Sequence, residues 1–117
     1  MRITIDFRGV CILGNFPNSY KSVNGAQTVL EKLANEGHEL RLYVKDTKNF
    51  SDKMGWFRER GIKIIGTATD RRDCDLFISI ENSPSTLIKY NRIISDTPFV
   101  DWVSMQKKFL EKNILKN

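Results

Sequence analysis

Short apolar runs alternate along this chain with stretches of helical spacing, and that alternation constrains the fold more than any other feature. Ile3, Ile5 and Phe7 alternate with Thr4 and Asp6, so residues 2–7 read as a strand. Residues 8–22 read as a long loop with a short turn over 10–13. Ser22 or Asn24 caps the next element, where Ala26, Val29, Leu30, Leu33 and Ala34 repeat at helical spacing until Gly37 stops the run. Residues 39–44 give a second strand. Ser51 caps a helix to Arg60, with Met54 and Phe57 inward and Gly61 as its stop. Ile62, Ile64 and Ile65 make a third strand ended by Gly66, and residues 76–80 a strongly apolar fourth. A short helix after Ser83 and Pro84 and a fifth strand over 92–94 follow. Thr97-Pro98 opens a last helix to Lys112 that buries Phe99, Trp102 or Val103, and Phe109 with Leu110. The pattern predicts an α/β fold of three αβα layers, a parallel sheet with helices on both faces.

The 117 residues leave room for one domain, 1–117. The formal charge of +5 favours anionic partners: nucleic acid, nucleotides, phosphate or an acidic protein. Cys11 and Cys74 are too few for a disulfide framework and read as buried thiols. One histidine, His38, and no CxxC argue against zinc. No apolar stretch approaches the length of a membrane span, and the expected location is the cytoplasm. No motif signals a nicotinamide cofactor or ATP. The Gly9 to Gly14 spacing lacks the Gly-Lys-Ser/Thr ending of a phosphate loop. Trp56 and Trp102 read as half-buried packing residues at helix edges.

Asp6 stands where a buried strand runs into a Gly-containing loop, the position at which open α/β sheets keep their chemistry. Two readings are open. It is a strand-end carboxylate accepting N–H bonds from the following turn, or a nucleophile or metal ligand at the mouth of the sheet.

The motif order carries a resemblance. Asp6-Phe7-Arg8-Gly9-Val10 is followed by Val23-Asn24-Gly25-Ala26 entering a helix, then Gly37-His38-Glu39-Leu40 and Leu42-Tyr43-Val44-Lys45. Trp56-Phe57-Arg58-Glu59-Arg60-Gly61, the run from Arg71-Arg72-Asp73 through Asp75 to Glu81-Asn82, and Asp101-Trp102 come next. In this order the chain resembles the haloacid dehalogenase-like phosphatase superfamily, nearest its small cap-less members. The resemblance implies a Rossmann-like core and aspartyl-phosphate chemistry. A first Asp attacks phosphorus, a second Asp cycles a proton, a hydroxyl and a Lys hold phosphoryl oxygens, and late acids hold magnesium.

Carried over residue by residue, Asp6 is the nucleophile position. Arg8 replaces the acid-base, and a guanidinium stays protonated at neutral pH; it binds phosphate or pairs with Asp6. Gly9 is retained and Val10 replaces the usual Thr. Val44 offers no hydroxyl, and Thr47 substitutes only if its loop turns back. Arg71 or Arg72 falls at the conserved Lys. Direct spacing from Asp75 puts Ser79 and Ile80 at the late acids; sliding by two residues puts Glu81 and Asn82 there, so that Asp6 and Glu81 would make a weak magnesium site. Any cap must come from residues 11–22, where Phe16, Tyr20 and Lys21 also offer a partner surface. These losses predict a non-catalytic protein of this fold, acting through protein or anion binding and needing no cofactor; small size and eroded motifs suit a viral or mobile-element accessory protein. The first alternative is a magnesium-dependent phosphatase of small phosphomonoesters or nucleotides using Asp6. The second is a nucleic-acid-binding module with Arg58, Arg60, Lys63, Arg71 and Arg72 on one face.

Overall fold

Three consecutive residues, Ile3, Thr4 and Ile5, are fully buried. Neighbouring strand residues point to opposite faces, so this strand is covered on both. It is the centre of the computed structural model, which describes residues 1–80, 91–94 and 97–117. In chain order the elements begin with β1 (Arg2–Ile5), β2 (Ile12–Asn15), β3 (Ser19–Ser22), α1 (Ala26–Asn35), β4 (Glu39–Tyr43) and α2 (Phe50–Glu59). They continue with β5 (Gly66–Ala68), β6 (Leu76–Ile78), β7 (Asn91–Ile94), β8 (Thr97–Val100) and α3 (Trp102–Glu111). The molecule is a mixed α/β structure whose main sheet is parallel, in the order β5-β4-β1-β6. The chain steps from β1 to β4 to β5 in one direction and places β6 on the other side of β1. That reversal opens a crevice at the carboxyl ends of β1 and β6, beside Asp6.

By register, Ile3, Leu40 and Leu76 share one face, as do Ile5, Leu42 and Ile78. They form one buried cluster with Val29, Leu30 and Leu33 of α1, Trp56 and Phe57 of α2, and Trp102, Met105 and Phe109 of α3. Each such side chain, fully buried, contributes about 1.5–3 kcal/mol. The second face holds Thr4 and Phe77, both fully buried, with Ala68 and Tyr43 beside them. Phe77 and Ala68 stand outside the main cluster. Helices on both faces were expected; among the described residues, all three join the cluster of one face. Trp56 and Trp102 are core side chains, not half-buried edges, whereas Val103 is 71 % exposed.

All three helices end alike. Gly37, Gly61 and Asn113 take left-handed backbone, with φ of 93°, 70° and 60°. Each donates its N–H back into the last turn, and the next residue bonds one position further back. This double bond satisfies carbonyls that a helix end leaves open. Gly37 and Gly61 were expected stops. The starts differ from expectation. Gly25, not Ser22 or Asn24, precedes α1, with φ 87°. A Cβ there would lie 3.0 Å from Trp102 Cβ, so the residue must also be small. Asn49, not Ser51, precedes α2.

Four further departures have local causes. The expected long loop over 8–22 contains the antiparallel pair β2–β3, with Asn15 opposite Ser19. Its strands, Ile-Leu-Gly-Asn and Ser-Tyr-Lys-Ser, do not alternate apolar with polar residues, so pattern alone did not disclose them. The third strand lies four residues later than expected, over Gly66–Ala68, because Ile62 instead packs against the end of α2 and is 3 % exposed. Residues 97–100 pair with 91–94 in a separate antiparallel hairpin, so 92–94 add no fifth strand to the main sheet. The last helix starts at Trp102, where the Asp101 carboxylate accepts the Ser104 N–H at 3.3 Å. The helix expected after Ser83 lies outside the described residues. No described helix is long and apolar enough to cross a membrane.

Candidate functional site

β1 delivers Asp6 to the crevice, and its backbone stays in the sheet, donating from its N–H to the Ile78 carbonyl at 3.0 Å. Its Oδ1 accepts the Phe7 N–H at 3.0 Å and its Oδ2 accepts the Ser79 hydroxyl at 3.3 Å. Ser79 is fully buried. The Phe7 amide and the Ser79 hydroxyl at the end of β6 thus orient both carboxylate oxygens.

After Asp6 the chain folds into a tight loop. The Phe7 carbonyl accepts the Cys11 N–H at 2.8 Å, and Gly9 donates its N–H to the Ile12 carbonyl at 2.8 Å. Gly9 has φ 78°, a left-handed backbone suited to glycine. Its amide is used inside the turn, so Gly9 shapes the loop and does not present a donor to a ligand. Two bonds brace the loop from the C-terminal part of the chain. Val100 donates its N–H to the Gly9 carbonyl, and the buried Trp102 indole N–H donates to the Val10 carbonyl, both at 2.8 Å. Cys11 lies beneath it, fully buried, with Sγ 3.9 Å from the Asp6 carbonyl. Burial, then the nearby Asp6 charge, push the Cys11 thiol well above its ordinary pKa, against a smaller opposing effect of Arg60.

A cleft of about 500 Å³ opens over this loop. Asp6, Phe7 and Arg8 form one side, and the β2–β3 hairpin contributes Asn15, Phe16, Pro17 and Asn18. Asp46, Lys48, Asn49 and Lys53 close it from the segment after β4 and the start of α2. The tip of the hairpin is fixed in place. Asn49 Nδ2 donates to the Phe16 carbonyl at 3.4 Å, and the Phe16 ring meets Phe7 and Tyr20 edge-on at 4.8 and 4.9 Å. Lys53 Nζ stands 5.8 Å from the Phe7 ring centre. Asp46 Oδ1 accepts the Lys48 N–H at 2.8 Å. Among the described residues the salt bridges belong to Arg2, Arg60 and Arg72, and none engages Arg8, Lys48 or Lys53.

Arg71 and Arg72 lie elsewhere. They line a second cavity with Tyr43, Thr69 and Asp70. The Arg71 guanidinium stacks over the Tyr43 ring at 5.4 Å, and its Nε donates to the Tyr43 hydroxyl at 3.4 Å. Arg72 binds Asp70 through its backbone N–H at 2.9 Å and its side chain at 3.4 Å. The backbone bond comes first among the effects that lower the Asp70 pKa.

Of the expected phosphate ligands, only Arg8 shares the cleft with Asp6. Thr47 is exposed and does not line it, although its neighbours Asp46 and Lys48 do. Glu81 lies outside the described residues. Phe16 lines the cleft, Tyr20 backs it, and Lys21 sits exposed on β3. Four of the five basic residues proposed for nucleic acid divide between two cavities. Arg58 and Lys63 flank Met54, Phe57, Ile62 and Ile64, away from Arg71 and Arg72. Arg60 lies over the Trp56 ring at 4.4 Å. Lys48, Lys53, Asn49 and Ser79 were missed as site residues; the two lysines come to the cleft only through the way the segment after β4 and the start of α2 close it.

Among the described residues no three His, Cys, Asp or Glu side chains gather as a metal site. Among the described residues the acids lining the cleft are Asp6 and Asp46, set among Arg8, Lys48 and Lys53. That donor set matches an anion better than magnesium. No protein-family model, curated protein or solved structure matches this chain.

Proposed function

We propose that this chain is a haloacid dehalogenase-like protein that binds a phosphate-bearing ligand in the cleft over Asp6 without hydrolysing it. The observation that carries this reading is Arg8, which shares the cleft with Asp6, Lys48 and Lys53 and forms no salt bridge among the described residues. A guanidinium binds phosphate oxygens in a planar fork but does not cycle a proton near neutral pH. The expected acid-base position thus carries a binding group. Hydrogen bonds from the Phe7 N–H and the Ser79 hydroxyl hold the Asp6 carboxylate in place at the edge of the cleft. The strand order, with Asp6 beside the point where it reverses, is compatible with a Rossmann-like core.

The test is turnover set beside binding. p-Nitrophenyl phosphate is offered with magnesium to the wild type and to Asp6→Asn, and inorganic phosphate binding is followed by calorimetry. The reading predicts phosphate binding by both proteins, slightly tighter in Asp6→Asn because a negative charge is gone, and no hydrolysis above background. Hydrolysis by the wild type that Asp6→Asn abolishes would establish the phosphatase alternative instead.

A further inference from the structure

The cleft contains more than charge. Phe16 and Pro17 form part of its wall at the hairpin tip, and Asn15, Asn18 and Asn49 bring side-chain amides to the same space. Phe16 is held edge-on by Phe7 and Tyr20 and remains only partly buried. The place of this aromatic ring in the cleft wall is therefore set before a ligand arrives. Phosphate alone has no use for such a wall. A planar base does, because base–aromatic stacking tolerates any base through its π-face. Amide side chains supply both donors and acceptors, the complement that base edges and ribose hydroxyls require. The volume, about 500 Å³, lies in the range of small-molecule and cofactor sites.

We infer that the ligand of this cleft is a nucleoside 5′-monophosphate, its phosphate toward Arg8, Lys48 and Lys53 and its base against Phe16. This inference rests on the phosphate-binding reading above and adds the organic half of the ligand. Phe16 is then the specificity-determining residue, and the β2–β3 hairpin is the element that carries it.

The experiment compares inorganic phosphate, ribose 5-phosphate, phenyl phosphate and AMP by calorimetry at low ionic strength, on the wild type and on Phe16→Leu. Leucine retains apolar bulk at the hairpin tip and removes the aromatic face; a thermal melt of the variant checks that the fold persists. AMP is expected to bind the wild type about 5- to 150-fold more tightly than ribose 5-phosphate, the range that stacking one base supports. In Phe16→Leu the ratio of AMP to ribose 5-phosphate affinity should fall to near one. Equal affinities of AMP and ribose 5-phosphate, with phosphate itself bound, would overturn the inference and leave the phosphate cleft standing. Phenyl phosphate matching AMP would overturn the nucleoside assignment in favour of a bare ring. Failure of all four ligands to bind would overturn the phosphate cleft and this inference together.

Discussion

The cleft over Asp6 and the corner at Arg71 both contain arginines that the sequence offered as phosphate ligands, yet they use them differently. Arg8 faces a cavity with Lys48 and Lys53 and forms no salt bridge among the described residues. Arg71 is stacked on Tyr43 and bonded to its hydroxyl, and Arg72 is paired with Asp70. A cation already engaged by its own chain must give up those contacts to bind a ligand; one without them need not. Residue type nominates a binding group, but its neighbours decide whether it is available.

The two regions also differ in how they are braced, and the largest expected effect breaks that difference. Trp102 is buried and bonds the Val10 carbonyl, so the cleft loop is tied to the core. Trp102→Ala should cost about 3–5 kcal/mol in chemical denaturation, the range for large aromatic truncations in a core. A loss below about 1 kcal/mol, as expected of an exposed residue, would show that the brace is not made.

A smaller effect separates the regions by pH. Below pH 9.0 the Cys11 thiol is protonated whether the chain is folded or not; above it the unfolded chain ionises while the buried thiol resists. Stability should fall by up to about 1.4 kcal/mol per pH unit in this alkaline window. Cys11→Ala should flatten that slope relative to the wild type. The corner responds at the opposite end of the scale. The lowered Asp70 pKa contributes stability that is present above 3.8 and lost as pH falls through the folded value. Asp70→Asn should therefore reduce the acid sensitivity and leave the alkaline limb unchanged. An unchanged alkaline slope in Cys11→Ala would contradict the burial of that thiol.

The smallest effect is expected at the corner itself. Arg71→Ala removes a partly exposed cation–π contact, for which about 0.5–1 kcal/mol is ordinary, together with a long hydrogen bond to the Tyr43 hydroxyl. A larger loss in denaturation would make Arg71 a structural strut comparable to Trp102.

Much of the main sheet was legible because buried parallel strands are continuously apolar and glycines mark helix ends. Residues 2–5, 39–43 and 76–78 lie within the expected strands, and Gly37 and Gly61 stop α1 and α2 as read. The hairpins were not legible for the opposite reason. Gly14, Asn15, Ser19, Lys21 and Ser22 show no apolar face, and their pairing depends on a turn and on contacts with distant residues such as Asn49. Thr97-Pro98 carried a plausible helix start, but Asp101 provides the cap four residues after Thr97. At the site, Asp6 and Arg8 were visible from chain position. Lys48 and Lys53 became visible only once the segment after β4 was seen to fold back over β1. Ser79, expected at an acid's position, instead donates a hydrogen bond to Asp6.

The central claim is that the cleft, and not the corner, is the anion site. Calorimetric titration of inorganic phosphate into the wild type, Arg8→Ala and Arg71→Ala tests it directly. The account predicts that Arg8→Ala weakens binding about tenfold, as the loss of a charge-assisted hydrogen bond should, and that Arg71→Ala stays within about twofold of the wild type. Binding lost in Arg71→Ala and retained in Arg8→Ala would contradict it.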